Sequence, residues 1–405
     1  MSYKETVDWL FKQLPNYQLQ GGSAYKPGLD NIKELLKQIG NPEKNLRCIH
    51  IAGTNGKGSV SNMLASIFQE NGYKTGLFTS PHLHDFRERI KINGQMISEQ
   101  FVIDFVSQYK DDWEKIEPSF FEITTAMAFA AFKENECEIC IIETGLGGRL
   151  DSTNVIVPEL SIITNIGIDH TAFLGNTLAE IAFEKAGIIK ENVPVVIGEA
   201  NQETRAVFEK VAKEKNAELI FAKQRAAIET DLAGFFQQKN ASTVYTAIKK
   251  LRELGWNLSP EKVAEGFKNV RKNTNFKGRF QILTHNPIVL VDAAHNVDGI
   301  KVLLSEIAQM EFKKLHLIYG ASNDKDVARI FELFPKDAEY YFSEFDSKRS
   351  MTTEDFQELA HKNKLKADFF SYSGDAIAAA YQVAEDDDLI CVFGSFYLIE
   401  SFLYD

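Results

Sequence analysis

The sequence predicts an α/β protein whose first, larger domain is a parallel sheet of the P-loop type and whose second domain is a smaller Rossmann-like unit. Short apolar runs alternate with amphipathic segments from residue 46 onward, which is typical of parallel strands connected by helices. The first run breaks into a glycine-rich turn and then a helical pattern. The polar, unpatterned stretch 271–278 separates two alternating regions. We therefore expect domains at 1–272 and 280–405, joined by a linker at 273–279.

Composition narrows the class of protein. With 405 residues, 44% hydrophobic and 25% charged, the chain is long enough to bury a core in each of two domains. Its net charge of −12 argues against nucleic acid or an anionic membrane as a partner, and leaves room for anionic ligands in local basic sites. The N-terminus lacks an apolar signal core, and no apolar run approaches the roughly 18 residues that span a bilayer. We expect a cytoplasmic protein and a monomer.

The four cysteines do not suggest a disulfide framework in a chain of this length. Cys137 and Cys140 form a CxxC pair inside the apolar run 137–142. Two thiols carried by one strand explain this spacing better than a redox or zinc site does.

The elements follow from hydrophobic periodicity. The first 45 residues carry helical patterns at 7–14 and 32–39, with a loop at 20–28. Strands of the first domain are predicted at 47–51, 75–79, 138–143, 160–164, 193–197 and 218–221, and later helices at 244–254 and 263–270. Strands of the second domain are predicted at 288–291, 315–319, 340–342, 367–370 and 389–393, with no GxGxxG to support a dinucleotide site. Ligands of open α/β sheets bind beyond the carboxyl ends of the strands, where several polar residues fall here.

The stretch 48–59, CIHIAGTNGKGS, runs from an apolar strand through a glycine-rich turn into a helix. Backbone N–H groups, the helix N-terminus and the ammonium of Lys57 then point at one place, as in phosphate-binding loops. The stretch departs from the standard Walker A pattern, because Ile51 replaces the first glycine and Gly58 separates Lys57 from Ser59. A plain strand-to-helix turn is the structural alternative. We interpret the stretch as a nucleotide-binding loop.

Glu143 begins the run 143–154, ETGLGGRLDSTN, at the end of a predicted buried strand. A carboxylate in this place, next to glycines that let the backbone approach a ligand, suits Mg²⁺ held against nucleotide phosphates. The alternative is an ion pair with Arg149 that fixes the loop. The residues alone favour neither interpretation.

Asp169 and His170 follow the fourth strand. A base, a metal ligand and an ordinary loop histidine are all compatible with His170, and Mg²⁺ prefers oxygen ligands. The next predicted helix, 177–190, contains Lys185. Its ammonium suits a phosphate contact or a surface charge, and an amine kept neutral by desolvation can also take up CO2 as a carbamate. The residues alone leave these choices open.

The second domain repeats the strand-end pattern, with Asp292 and His295 after its first strand. Arg279 follows the polar stretch 271–278, where we expect its guanidinium to contact a phosphate across a cleft between the domains. A solvated linker arginine is the structural alternative.

These motifs occur together in the order seen in folylpolyglutamate synthases. The stretches that carry the resemblance are 52–59, 79–83 with 88–90, 121–122, 143–154, 169–170, 184–187, 292–296, 324–326 and 394–396. From about residue 20 to the C-terminus, the sequence resembles the dihydrofolate synthase/folylpolyglutamate synthase family of the Mur ligase superfamily. The resemblance implies an ATP-dependent ligase that adds L-glutamate to dihydropteroate or to folates through an acyl phosphate. We expect both activities, with a single-activity enzyme as the alternative.

The resemblance also implies roles for individual residues. ATP is expected at Asn55, Gly56, Lys57, Gly58, Ser59, Asn240, Arg279 and Asp292. Two Mg²⁺ ions are expected, one at Ser80 and Glu143 and one at His170 and a carbamylated Lys185. The pterin-bearing substrate is expected at Ser119, Phe120, Phe121, Glu122, Leu150, Asp151 and Ser152, and the incoming glutamate at His295 and Ser395. The expected catalytic residues are Lys57, Glu143, His170, Lys185, Asp292 and His295.

The sequence departs from the family in two places. Lys277 stands where many members carry proline, and the segment between Phe221 and Asn240 is shorter than in most members, so we expect a reduced β extension there. Two other functions remain as alternatives. A peptidoglycan-precursor ligase shares the chemistry but carries an extra N-terminal domain, whereas only 47 residues precede the stretch 48–59. A non-catalytic nucleotide module does not account for the full set of predicted catalytic residues.

Overall fold

A computed structural model describes residues 1–15, 28–113, 116–224 and 227–404. The chain forms two compact units, residues 1–231 with 237–276 and residues 232–236 with 277–405. It passes from the first unit to the second between Phe276 and Lys277, within the stretch predicted as a linker. The assignment of 232–236 to the second unit was not predicted. The predicted loop at 20–28 lies, apart from Gly28, outside the described residues.

An eight-stranded sheet forms the centre of the first unit. Its strands are β1 (Cys48–Ala52), β2 (Thr75–Phe78), β3 (Ile90–Ile92), β4 (Gln95–Met96), β5 (Ile139–Glu143), β6 (Leu160–Ile163), β7 (Val195–Ile197) and β8 (Leu219–Phe221). Their order is β4-β3-β2-β5-β1-β6-β7-β8, parallel except for the antiparallel pairs of β3 with β2 and β4. The six predicted strands are present, and the sequence missed β3 and β4.

The helices of this part of the chain cover the sheet. They are α1 (Tyr3–Gln13), α2 (Asp30–Gln38), α3 (Lys57–Glu70), α4 (Glu99–Trp113), α5 (Phe120–Glu134), α6 (Thr171–Leu174), α7 (Leu178–Ala186), α8 (Gln202–Glu214), α9 (Phe236–Glu253), α10 (Pro260–Lys268) and α11 (Val270–Thr274). Short 3₁₀ helices lie at Pro42–Asn45, Phe86–Arg89 and Ser152–Val155. The described residues between β8 and α9 contain no strand.

Helix α3 is central to the first unit, because the side chains at 59–68 are all buried. A Cβ on Gly266 of α10 would lie 2.5 Å from the Cα of Ile67, so the two helices cross in close backbone contact. Strands β1 and β5 beside it are buried along their whole length, as expected for central parallel strands. The loop between β1 and α3 is therefore anchored at both ends by buried elements.

A six-stranded sheet forms the second unit, in the order β13-β12-β11-β14-β10-β9. Its strands are β9 (Gln281–His285), β10 (Ile288–Asp292), β11 (Leu315–Tyr319), β12 (Glu339–Ser343), β13 (Ala367–Phe370) and β14 (Leu389–Phe393). The helices are α12 (Val297–Ile307), α13 (Val327–Phe331), α14 (Thr353–Asn363), α15 (Ser373–Val383) and α16 (Phe396–Tyr404). The five predicted strands are parallel, and the missed strand β9 is antiparallel to β10.

Strand register brings the carboxyl ends together in each sheet. In the first unit Ile51 of β1 lies beside Glu143 of β5, and Phe78 of β2 lies beside Ile142. In the second unit Asp292 of β10 and Tyr319 of β11 both pair with Phe393 of β14. The residues that follow these strands therefore share one rim in each unit, as predicted from the strand ends. Within the described part of the chain, no helix is long and apolar enough to cross a membrane.

Candidate active site

The glycine-rich loop between β1 and α3 places a lysine at a helix N-terminus. Gly56 caps α3 with a φ of +83°, and a Cβ there would lie 2.5 Å from the Asn240 side-chain oxygen. Only glycine fits this position without strain. Lys57 is the first residue of α3, and its Nζ donates to the carbonyl oxygens of Gly53 (3.0 Å) and Thr54 (3.3 Å). The loop thus combines the N–H groups of a helix N-terminus with a local positive charge.

The segment that follows β6 holds this loop in place. The backbone N–H of Asn55 donates to the Asn165 side chain (2.9 Å), and the Thr164 hydroxyl donates to the carbonyl of Asn55 (2.6 Å). The Thr54 hydroxyl both donates to the carbonyl of Gly167 (3.2 Å) and accepts from its N–H (3.0 Å). The loop is therefore pre-organised by residues more than 100 positions away in the sequence.

Side chains of helix α9 contact the glycine-rich loop and the first turn of α3. Gln237 donates from Nε2 to the Ser59 hydroxyl (3.2 Å) and accepts at Oε1 from Asn240 Nδ2 (2.8 Å). Ser59, Gln237 and Asn240 are all buried. The sequence singled out Asn240 and missed Gln237. The i, i+3 spacing on one helix face was the available signal.

Glu143 ends β5 at the same rim and is only 3% exposed. Its Oε2 lies 3.9 Å from the position that a Cβ on Gly58 would occupy, so the carboxylate faces the first turn of α3. Ser80 lies two residues beyond β2 and is half-buried. Arg149, the alternative partner considered for Glu143, forms a salt bridge with Glu184 at 2.8 Å.

Lys185 lies in the last turn of α7 and is 4% exposed. Its Nζ donates to the carbonyl oxygen of Gly53 at 2.9 Å, the same oxygen that accepts from Lys57. Burial, and then the charge of Lys57, lower the pKa of Lys185 to about 7, and the charges of Asp169 and Asp151 oppose this shift. Near neutral pH, a large fraction of this amine is uncharged.

The loop at 144–154 packs directly on the end of α7. A Cβ on Gly148 would lie 2.7 Å from the carbonyl oxygen of Lys185, and a Cβ on Gly187 would overlap the backbone of Arg149. Asn154 joins the two segments, because its Nδ2 donates to the carbonyls of Arg149 and Gly187, both at 3.0 Å. No role was predicted for Asn154 from the sequence. Its position in the glycine-rich run was the only signal.

Asp151 fixes the conformation of this loop. Its carboxylate accepts from the N–H of Leu146 (2.8 Å), the N–H of Thr153 (3.0 Å) and the Thr153 hydroxyl (2.5 Å). The same hydroxyl contacts His50 Nε2 at 2.8 Å. Burial raises the pKa of Asp151, and these hydrogen bonds oppose the shift. Both carboxylate oxygens are therefore used within the loop.

The residues predicted to contact the pterin differ in how far they are buried and in what they contact. Ser119 and Glu122 form the capping box of α5, and Phe120 is buried and stacked on Phe11 at 4.7 Å. Phe121 is half-buried, and a Cβ on Gly145 would lie 2.6 Å from its ring. Leu150 is half-buried and Ser152 is buried. Of this set, Ser119, Phe121 and Leu150 are half-buried, and the other four residues are buried.

His170 is the N-cap residue of α6 and has a φ of +51°, and its Nε2 lies 3.7 Å from Asp169 Oδ2. Asp169 also accepts the N–H of His170 at 2.9 Å. In the described ranges, no group of three or more His, Cys, Asp or Glu side chains is arranged around a common metal position.

The second unit brings its own predicted residues to one rim. Asp292 is 6% exposed and accepts from the N–H groups of Phe280 (2.6 Å) and Ala294 (2.7 Å). Burial raises the pKa of Asp292, and the charge of Arg279 opposes this shift. The Arg279 guanidinium lies 4.7 Å from the Phe396 ring centroid, and the His295 ring lies 6.4 Å from the same ring.

Ser395 lies two residues beyond β14, at the start of α16. It is 6% exposed, and its hydroxyl accepts from the N–H of Tyr397 at 3.2 Å. His295 Nδ1 contacts the carbonyl of Ala293 at 2.9 Å, which orients the imidazole at the end of β10.

Family models identify the class of protein that these two units form. Residues 51–261 match the Mur ligase middle domain, and residues 278–396 match the Mur ligase glutamate ligase domain. The chain is therefore an ATP-dependent ligase of the Mur type.

Comparison with individual proteins narrows the class. A dihydrofolate synthase/folylpolyglutamate synthase of Bacillus subtilis is 33% identical over 98% of this chain and 97% of its own. A probable bifunctional folylpolyglutamate synthase/dihydropteroate synthase of Haloferax volcanii is 30% identical over 98% of this chain, which spans only 50% of that longer protein. The chain belongs to the dihydrofolate synthase/folylpolyglutamate synthase family.

Solved structures of similar proteins share this fold over the whole length of the chain. Escherichia coli FolC in complex with DHPP and ADP has a TM-score of 0.87 and 27% identity, covering 100% of this chain and 97% of that one. A bifunctional folylpolyglutamate synthase/dihydrofolate synthase with Mn, AMPPNP and L-glutamate bound has a TM-score of 0.85 and 27% identity, with 100% and 97% coverage. These similarities confirm the predicted fold class and family.

Proposed function

We propose that this enzyme joins L-glutamate to 7,8-dihydropteroate, forming dihydrofolate, and to the γ-carboxylate of folates, forming polyglutamates. Each reaction consumes ATP and releases ADP and phosphate. The observation that carries the proposal is the convergence of the Lys57 and Lys185 amines on the carbonyl oxygen of Gly53, together with the Glu143 carboxylate that faces the first turn of α3. The names of the similar proteins, and the ligands in their solved structures, support these substrates.

We propose that the nucleotide binds at the glycine-rich loop. The N–H groups of Gly56, Gly58 and Ser59 and the ammonium of Lys57 suit the β- and γ-phosphates of ATP, and Asn55, whose N–H donates to Asn165, positions the loop for them. Asn240 and Gln237 support the loop from α9. In the second unit, the guanidinium of Arg279 and the buried carboxylate of Asp292 are the groups that we assign to the nucleotide.

A divalent cation fits the rim of the first unit. Glu143 supplies a buried carboxylate facing the first turn of α3, and Ser80 supplies a hydroxyl, both oxygen ligands of the kind that Mg²⁺ prefers. The solved relative with Mn and AMPPNP supports the use of a divalent metal. When bound, the cation neutralises charge on the nucleotide phosphates.

We propose a second metal position at His170 and Lys185. A pKa of about 7 leaves the Lys185 amine neutral often enough to react with CO2, and the product is an anionic carbamate in place of a cation. The nitrogen of the neutral amine attacks the CO2 carbon, and the N–H proton leaves to solvent. His170 and Asp169 lie on the segment that also anchors the glycine-rich loop.

The acceptor and the incoming amino acid use different surfaces in this proposal. The ring of Phe121 and the side chain of Leu150 offer an apolar surface on which a pterin can stack. Ser119, Phe120, Glu122, Asp151 and Ser152 shape this surface through the cap of α5 and the loop at 144–154. In the second unit, His295 and Ser395 are assigned to L-glutamate.

The chemistry follows two balanced steps. An oxygen of the acceptor carboxylate attacks the γ-phosphorus, the bond to the β–γ bridging oxygen breaks, and ADP leaves. The amine of L-glutamate then attacks the acyl carbon, loses a proton and expels phosphate. Lys57 and the loop N–H groups align and neutralise the transferring phosphoryl group, which is most of what such a transfer requires.

The direct test measures ADP release with ATP, Mg²⁺ and L-glutamate, using 7,8-dihydropteroate or a tetrahydrofolate as acceptor, with product masses. Turnover with both acceptors supports the bifunctional ligase. Turnover with one assigns a single-activity enzyme. No turnover with either acceptor contradicts the proposal, and a uridine-diphosphate peptide precursor then tests the cell-wall alternative.

A further inference from the structure

A buried histidine interrupts the apolar strand β1 and contacts the loop at 144–154. His50 pairs in the strand register with Ile142 of β5 and Ser161 of β6, and its side chain is fully buried. An imidazole in such a place costs free energy unless it is hydrogen-bonded. Its Nε2 contacts the Thr153 hydroxyl at 2.8 Å, on the short 3₁₀ helix at the end of this loop. An apolar side chain in the strand could not make this contact.

The hydrogen bonds around Thr153 determine which nitrogen of His50 carries the proton. Burial, and then the charge of Lys190, lower the pKa of His50 to about 3, so the ring is neutral at physiological pH and has one N–H. The Thr153 hydroxyl lies 2.5 Å from Asp151 Oδ1 and donates its single proton to that carboxylate. The hydroxyl oxygen then accepts from His50, so Nε2 is the protonated nitrogen. Among the described residues, Nδ1 has no hydrogen-bond partner, which suits an unprotonated nitrogen better than a buried N–H.

The relay from His50 through Thr153 to Asp151 fastens the loop to the sheet. Asp151 Oδ1 accepts from the Thr153 N–H at 3.0 Å and Oδ2 accepts from the Leu146 N–H at 2.8 Å, so this carboxylate joins the two ends of the loop. His50 adds a hydrogen bond from outside the loop. It lies three residues before Gly53, where β1 passes into the glycine-rich loop. One strand therefore holds both the glycine-rich loop and the loop that we assign to the acceptor.

We propose that His50 is a positioning residue for the pterin-bearing acceptor, acting through Thr153 and Asp151 to hold the loop at 144–154 in register with the glycine-rich loop. This inference rests on the proposed function, which assigns that loop to the acceptor. His50 itself touches no substrate. Phosphoryl transfer to the acceptor needs the reacting atoms within about 3–3.5 Å, and a displacement of about 1 Å can lower the rate about a hundredfold. Loss of the relay should therefore impair use of the acceptor and leave the affinity for ATP unchanged.

The first experiment compares His50→Leu with the wild type in ADP release, varying ATP and the acceptor, 7,8-dihydropteroate or a tetrahydrofolate, separately. We expect kcat/KM for the acceptor to fall at least about tenfold, with KM for ATP within about twofold of the wild type. Thr153→Val should show the same pattern, because it removes the hydroxyl and keeps the shape. Thr153→Ser, which keeps the hydroxyl, should retain most of the wild-type value.

Ser161→Ala is the matched control. The Ser161 hydroxyl is also buried in the sheet beside His50, but it donates to the Ile188 carbonyl oxygen at 2.9 Å and not to the loop at 144–154. We expect this variant to keep kcat/KM for the acceptor and KM for ATP within about threefold of the wild type. A control that matches His50→Leu would show that any lost polar contact in the sheet has this effect, and would overturn the proposal.

A double-mutant cycle tests whether His50 acts through Thr153. The variant that combines His50→Leu with Thr153→Val should be no worse than Thr153→Val alone, because the second change already removes the partner of the imidazole. If the two losses in kcat/KM instead multiply, His50 acts independently of Thr153 and the relay is wrong.

Nitrogen NMR of protein labelled with ¹⁵N-histidine gives a readout that does not depend on turnover. The ring signals of His50 are assigned by their loss in Thr153-intact His50→Leu. We expect a neutral ring with its proton on Nε2, unchanged between about pH 6 and 8. A proton on Nδ1, or a ring that becomes charged in this range, would overturn the relay whatever the activity.

The outcomes separate this inference from the proposed function. A wild type that turns over neither acceptor refutes the proposed function, and with it the acceptor role of His50. A wild type that turns over, beside a folded His50→Leu with an unchanged kcat/KM or an equal rise in KM for ATP, refutes only this inference. Circular dichroism and thermal unfolding establish that each variant is folded. If His50→Leu does not fold, Thr153→Val and the NMR of the wild type decide.

Discussion

Replacing Lys185 by methionine separates the chemical role of this residue from its effect on stability. The unfolded chain keeps the lysine protonated up to a pKa near 10.5, whereas burial holds the folded pKa at about 7. Between these values the unfolded state binds more protons, so the free energy of unfolding rises with pH. The buried Lys185 therefore destabilises the folded protein by its full amount below about pH 7, and this effect disappears as the pH rises through about 10.5. At about 1.4 kcal/mol per pH unit, it amounts to roughly 4 kcal/mol at pH 7.

Methionine removes this penalty and also the hydrogen bond to Gly53, which contributes about 1 kcal/mol. We therefore expect Lys185→Met to be more stable than the wild type by about 3 kcal/mol at pH 7 and to lose that advantage near pH 10. Urea unfolding of the metal-free, nucleotide-free protein measures this. Lys190→Met is the matched control, because burial lowers the pKa of Lys190 to about 8 but its amine donates to the carbonyl oxygen of Asn154 rather than to the glycine-rich loop before α3.

Turnover completes the test. We expect Lys185→Met and Lys185→Ala to lose at least about a hundredfold in kcat, with Lys190→Met within about threefold of the wild type. A small carboxylate such as acetate should partly restore Lys185→Ala by replacing the carbamate, and should not restore the methionine variant, whose side chain fills the space. A methionine variant that is less stable at pH 7, or an alanine variant with wild-type turnover, would refute the reasoning.

Three further predictions concern the rest of the first unit. Gly56→Ala should weaken ATP binding by at least about tenfold in calorimetry, because its Cβ would meet Asn240, whereas Gly72→Ala, with a similar φ and open space, should bind ATP normally. Glu143→Ala should lower kcat by at least about a hundredfold, and a folded variant with normal turnover removes it from the site. Phe121→Ala should raise KM for the pterin substrate at least about tenfold and leave KM for ATP unchanged, whereas equal rises would indicate a general distortion.

The rims of both sheets were predictable because they depend on local rules. Central parallel strands are buried on both faces, so they read as continuous apolar runs with clear ends. Glu143 and Asp292 close two such runs, and register aligns those ends with their neighbours. The positions of these carboxylates therefore followed from the sequence alone.

The antiparallel edge strands were missed for a different reason. β3 and β4 are three and two residues long, too short for a periodic pattern. Asn93 and Gly94 between them both have positive φ, and an Asn-Gly pair is a strong hairpin signal that was not used. β9 is half-buried to exposed along its length, so its composition resembles a loop.

Some predicted ligand contacts are structural supports in the fold. Ser119 and Glu122 have the S-x-x-E spacing of a capping box before an apolar run, and the structure uses them in that way. Asp151 uses both carboxylate oxygens within its own loop. The resemblance placed these residues near the pterin, but it did not distinguish a residue that touches a ligand from one that shapes the surface.

The state of Lys185 was left open by the sequence, because the acidity of its amine is a property of the tertiary structure. Its amine is desolvated where α7 meets a carbonyl that lies 132 positions earlier in the chain. Gly148 and Gly187 let the loop at 144–154 pack against the end of α7, because a side chain at either position would meet the opposing backbone. These glycines, which carry no reactive group, therefore contribute to the burial that lowers the pKa of the lysine. Substituting either one should raise the pKa of Lys185 toward its ordinary value by letting water reach the amine.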